Sequence, residues 1–169
     1  MPSHPSFVCS GCGERHDLPF DYHMASPMYW EGLSARDRKH SYLDSDLCVI
    51  LDESYFMRGL INIPVIGREK VFNWGVWVSL SKPNFERAIE VYEQPGRERE
   101  PPYFGWLSND LAPHYPSTVN LKAQLHTRPI GLRPLIELEP TNHPLALEQR
   151  EGISMERVEG LARSILHST

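Results

Sequence analysis

Three cysteines and a nearby histidine are where chemistry can begin in this chain. Cys9 and Cys12 stand two residues apart, Gly13 follows directly, and His16 lies four residues beyond Cys12. This spacing lets both thiolates reach one ion from a tight turn, and glycine permits the backbone such a turn needs. A closed structural zinc site takes four ligands. His16 offers the third and Cys48, the remaining thiol, the fourth, so the expected metal set is Cys9, Cys12, His16 and Cys48. Two other readings stand beside it. The thiols can be unligated, with Cys48 a small buried hydrophobe in the apolar run 47–51. Or Cys9 and Cys12 can form a redox pair, which needs a strand–turn–helix context that a pair this near the chain start does not supply. Without Cys48 the other three would leave an open, catalytic-type position, but no general base is fixed nearby by sequence.

A second set is polar: Arg58, His126, Arg128, Arg133, Glu137 and His143. Arginine forks match carboxylates and phosphates. With His126 as acid–base and Arg128 and Arg133 as anion clamps, the chain would be an enzyme acting on an anionic small molecule. The same residues can equally be cross-strand ion pairs of small value, Arg128 facing Glu137. Trp74, Trp77, Tyr103, Phe104 and Trp106 can line a cleft for a flat or sugar-like ligand, or pack the core as large aromatics commonly do. The ligand-binding candidates are therefore Arg58, Trp74, Trp106, His126, Arg128 and Arg133. No nucleophile elbow, phosphate loop, dinucleotide fingerprint or zinc-protease helix is present. The function expected is a non-catalytic, zinc-stabilised domain that binds a protein or a small, anionic ligand, with the enzyme as the alternative.

Composition narrows the classes. The chain has 169 residues, 40% hydrophobic and 23% charged, which suits one domain over 1–169, with a knuckle segment at 1–16 and a body at 17–169. A net charge of −5 speaks against a nucleic-acid partner, whose affinity phosphate contacts would dominate. The apolar stretch 60–66 is interrupted by Asn62 and Pro64, so no membrane span is expected. The start lacks a basic region followed by an apolar one, so no secretory signal is expected and the expected address is cytoplasmic.

The elements that must position these residues can be read from periodicity. Ser26-Pro27 opens a short helix, and 34–40 is an exposed helical or loop link. Strands are expected at 47–51, at 55–63 broken by Gly59, and at 71–80, whose two faces are both apolar, as in a sheet covered on both sides. A helix starts at Ser81 with a stripe of Phe85, Ala88, Ile89 and Tyr92 and ends at Pro95-Gly96. Residues 97–102 read as a charged surface loop and 103–107 as a short strand. Residues 118–128 alternate cleanly and pair with 135–139 around a turn at Gly131, giving an antiparallel hairpin with one wet face. Ser154 caps a last helix whose stripe is Val158, Leu161, Ala162 and Ile165. The fold expected is α+β, a mainly antiparallel sheet with about three flanking helices and an N-terminal zinc-knuckle-like segment.

Several stretches taken together resemble an uncharacterised bacterial family, domain of unknown function 2199. They are Cys9-x-x-Cys12-Gly13-x-x-His16, Ser45-Asp46-Leu47-Cys48, Phe56-x-Arg58-Gly59, Trp74-Gly75-Val76-Trp77 and Tyr103-Phe104-Gly105-Trp106. The others are His126-x-Arg128-Pro129-x-Gly131-x-Arg133-Pro134, His143-Pro144-Leu145 and Gly152-Ile153. The resemblance spans most of the chain and implies a bacterial origin. It implies no activity, and it places Cys48 within a family-like motif, which favours a ligand or core role there.

Overall fold

A computed structural model describes residues 6–9 and 12–167. The chain start at 1–5 and the two residues inside the knuckle, Ser10 and Gly11, lie outside the described residues. The elements in chain order are β1 Ser6–Val8, β2 Arg15–Asp17, β3 Asp21–His23, α1 Met28–Glu31, α2 Ala35–Lys39, β4 Tyr42–Leu43, β5 Leu47–Ile50, β6 Ser54–Pro64 and β7 Val71–Leu80. Then come α3 Lys82–Glu90, a 3₁₀ turn at Arg97–Arg99, β8 Tyr103–Leu107, β9 Lys122–His126, β10 Leu135–Leu138, α4 Pro144–Glu151 and α5 Met155–Leu166.

The expected mainly antiparallel sheet with about three flanking helices is not what forms. Strands β6, β7, β8, β9 and β10 close on themselves as a five-stranded barrel, β10 returning to β6. Four of the five seams are antiparallel, and the closing seam is parallel, with Leu135 opposite Leu60. Among the described residues five short α-helices accompany it. Closure follows from two long strands that share their outer edges. β6 pairs with β7 along its length, while its other edge serves β5 at residues 54–57 and β10 at Leu60. β7 likewise gives β3 residues 73–75 and β8 residues 78–80. A sheet whose central strands change neighbours midway can curl until its ends meet, which removes exposed edges. Gly59, expected to break its strand, instead lies inside it at the closing seam. A Cβ there would meet the Ile136 side chain at 2.8 Å and the Pro134 carbonyl oxygen at 2.9 Å. The missing side chain is what lets β10 come in.

The two apolar faces expected for 71–80 are both covered. Phe72, Trp74, Val76 and Val78 join the main core with Ile61, Ile63, Leu125 and Ile136, while Trp77 packs in a second cluster with Cys48, Ile50 and Phe56. The hairpin expected from 118–139 forms as β9 and β10, shortened to 122–126 and 135–138. α3 and α5 start at the expected caps, Ser81 and Ser154, whose side chains accept from the Asn84 and Arg157 N–H groups. Of the α3 stripe, Phe85 and Ala88 are buried but Ile89 and Tyr92 are exposed. Among the described residues no helix is long and apolar enough to cross a membrane.

Candidate metal centre and arginine cavity

β1 and β2 form a two-stranded hairpin with Phe7 opposite His16. The pairing continues into the turn, where the Cys9 N–H donates to the Glu14 carbonyl at 2.8 Å and the Gly13 N–H to the Cys9 carbonyl at 2.7 Å. Gly13 sits at φ +75°, a left-handed position that glycine takes without strain. Directly opposed residues share a face, as do residues two apart on one strand, so Cys9, Phe7 and His16 face the same way. Cys9 is fully buried and Cys12 exposed. Cys12 Sγ lies 3.1 Å from His16 Nε2.

The fourth group comes from the other end of the chain. His167 is the C-cap of α5, and its Nε2 lies 2.8 Å from Cys9 Sγ. The α5 face of Val158, Leu161 and Ala162 is buried in the main core, and this docking delivers the residue that caps the helix to the turn of the hairpin. The ligand atoms of Cys9, Cys12 and His167 all lie within 4.8 Å of one another, and so do those of Cys12, Glu14 and His16. Cys12 belongs to both groups. Cys48, the fourth ligand of the sequence reading, belongs to neither. It lies fully buried in the second cluster beside Trp77, and its thiol is pushed up to about 12, by burial first and by Asp44 second. No disulfide joins the three cysteines.

The arginines gather elsewhere. Arg58, Arg128 and Arg133, with Asp46, line a cavity of about 590 Å³ between β6, α3 and the loop that joins β9 to β10. Arg58 stands on β6 opposite Trp77, 8% exposed, its guanidinium 4.9 Å from the indole centroid and one amino group donating to the Met24 carbonyl. Its Nε is buried and has no hydrogen-bond partner among the described residues. Arg133 Nε donates to Asp46 Oδ1 at 2.8 Å, and Arg128 Nε to the Arg133 carbonyl at 2.5 Å. Burial first, and Arg133 second, push the Arg58 guanidinium below its ordinary range, with Asp46 opposing. His23 is lowered by burial, then by Arg133 and Arg58. Four guanidinium groups, of Arg58, Arg97, Arg128 and Arg133, thus share the cavity with Asp46 and Glu93.

His126 is not part of this cavity. It lines a second one, of about 680 Å³, with Glu137, Gln149 and Arg150, and its Nε2 lies 3.7 Å from Glu137 Oε1. The acid–base and the two anion clamps of the enzyme reading thus open onto different cavities. Trp74 is buried in the main core, where its Nε1–H donates to Tyr115 Oη at 3.1 Å. Tyr115 donates to Glu148 at 2.6 Å, and Glu148 pairs with Arg157 at 2.9 Å, so Trp74 anchors a polar chain from β7 to α4 and α5. Trp106 points outward on β8, 41% exposed, edge-on to Phe104 with Lys122 over its ring. His143 caps α4, its Nδ1 accepting from the Leu145 N–H at 3.1 Å.

Sequence reasoning missed His167 and Arg97. His167 carried only the signal of a cation suited to a helix C-terminus. Arg97 was read within a surface loop, yet it is buried at the cavity and donates to the carbonyls of Tyr92, Arg128, Pro129 and Leu132.

No curated protein and no solved structure matches the chain. The model of one family does, over residues 8–153, a range that holds Cys9, Cys12, His16, Cys48 and all the cavity arginines and ends before α5 and His167. The chain belongs to that family, the uncharacterised proteins conserved in bacteria known as DUF2199.

Proposed function

We propose that this chain is a non-catalytic, zinc-bearing barrel domain that binds a small molecule or a protein partner. The observation that carries the zinc is the meeting of Cys9, Cys12 and His167, from opposite ends of the chain, within 4.8 Å of one another, with His16 held 3.1 Å from Cys12 as the nearest fourth ligand. Two sulfurs and two imidazole nitrogens make a closed set of the kind structural zinc takes. At ordinary zinc bond lengths the sulfur-to-nitrogen edge is about 3.5 Å, so the two contacts need open by only roughly half an ångström. The ion's role in this reading is to fasten the hairpin to α5. Thiolate ligands also fit a cytoplasmic address, where cysteines stay reduced.

Metal analysis of protein purified without chelator is the test. About one equivalent of zinc is expected, as one closed site requires. Cys9→Ser and His167→Ala should each strip most of it, and Cys48→Ser should leave it in place. Only trace zinc in the unaltered protein, or loss in Cys48→Ser equal to that in His167→Ala, would sink this ligand set.

A further inference from the structure

The charges facing the arginine cavity do not balance. Arg58, Arg97, Arg128 and Arg133 line it, against Asp46 and Glu93. Arg97 has spent its guanidinium on four carbonyls. Among the described residues the Asp46 carboxylate pairs with Arg133 alone of the arginines. Arg58 is more than nine-tenths buried with its Nε unpartnered, and among the described residues Arg128 bonds only through Nε. Burying a guanidinium beside two others is costly unless a counter-charge joins them. Asp46 supplies one to Arg133, but among the described residues no carboxylate bonds Arg58 or Arg128. Most of the remaining lining is apolar, with Met57, Val91 and Leu125 among it. A volume of about 590 Å³ lies within the range of small-molecule sites.

We propose that this cavity binds a small organic anion, its charged group held by Arg58, Arg128 and Arg133 and its apolar body resting on Met57, Val91 and Leu125. A carboxylate or a phosphate ester presents the oxygens that guanidinium groups recognise. Asp46 acts as the stand-in. It holds Arg133 when the cavity has no ligand and competes with the ligand for it. The assignment gives the proposed binding domain its ligand class; it rests on the binding half of that reading and not on the zinc.

Calorimetric titration at fixed ionic strength tests it, with benzoate, phenyl phosphate and inorganic phosphate as probes and benzamide as the uncharged control. Saturable binding of at least one aromatic anion is expected, tighter than inorganic phosphate and absent for benzamide. The order of benzoate and phenyl phosphate assigns the head group. Arg128→Gln should weaken binding roughly tenfold, the worth of one charge-assisted hydrogen bond. Asp46→Asn should tighten it a few-fold, which loss of a merely structural contact would not do. Arg150→Gln, in the other cavity, should change nothing. Arg58→Gln is expected to abolish binding; because Arg58 also packs on Trp77, the Arg128 and Asp46 variants decide if it misfolds. No saturable binding by any probe overturns the proposal. So does equal binding of benzamide, of inorganic phosphate, or by Arg128→Gln, and so does weakening by Asp46→Asn. Zinc content measured on the same samples separates this failure from failure of the metal site.

Discussion

Arg97 shows how a charged residue can be spent entirely on backbone. Its donors reach the carbonyls of Arg128 at 2.7 Å, Tyr92 at 2.7 Å, Leu132 at 3.1 Å and Pro129 at 3.2 Å. It therefore shapes the loop that carries Arg128 and Arg133. Arg97→Met should lower stability by about 3 kcal/mol in urea denaturation, because buried carbonyls lose a charged donor. Arg97→Lys should recover little of it, since an ammonium does not reproduce the planar fork. Asp44 is a second case. Its carboxylate accepts the Asp46 and Leu47 N–H groups at 2.8 and 2.7 Å and the Tyr42 hydroxyl at 2.6 Å. Burial pushes its pKa up, but these hydrogen bonds outweigh it and the result lies below the ordinary carboxylate value. A depressed carboxyl gives stability that is present above the unfolded value near pH 4 and is lost as pH falls through the folded one. Asp44→Asn should thus be less stable than the unaltered protein near pH 7, and the gap should narrow near pH 3. A gap that stays constant across denaturation curves at the two pH values would contradict this.

At the scale of elements the closing seam of the barrel is closely packed. Leu60 N–H donates to the Pro134 carbonyl at 2.9 Å, and Gly59 leaves the space that Ile136 fills. Gly59→Ala should cost about 2 kcal/mol through overpacking, read from the thermal midpoint with the secondary structure retained. An unchanged midpoint would mean that β10 sits less closely on β6. The terminal hairpin is the opposite case. β1 and β2 make a separate two-stranded sheet, marginal by itself, held by Phe7 and Cys9 in the main core and, in the proposed reading, by zinc.

For the whole molecule, zinc would tie the first element to the last. Chelation should therefore loosen both ends together. Amide exchange should accelerate across β1, β2 and the last turn of α5, while β6 and β7 in the barrel stay protected. The thermal midpoint should fall by an amount equivalent to several kcal/mol, because metal binding couples to folding. Exchange confined to the hairpin alone would argue that His167 is not a ligand.

Much of this was legible in the residues. Cys9, Cys12, Gly13 and His16 are close in sequence, and backbone bonds from Cys9 to Glu14 and from Gly13 to Cys9 close the turn that holds them, so spacing alone brings them near one another. Caps at Ser81 and Ser154, the double-faced strand at 71–80 and the β9–β10 hairpin are local too, and periodicity revealed them. What local pattern does not hold is which distant segments meet. His167 reaches Cys9 across 158 residues because α5 packs on the core, and Cys48 lies elsewhere because β5 pairs with β6. Strand periodicity says which face is buried; it does not say that β10 returns to β6, since alternation is the same in an open sheet and in a barrel. The sequence by itself determined the nearness of Cys9, Cys12 and His16, the helix caps and the strand faces. Only the tertiary structure decided the closed barrel, the fourth candidate ligand and the gathering of Arg58, Arg128 and Arg133 around one cavity, because these rest on contacts between parts of the chain that local spacing does not relate.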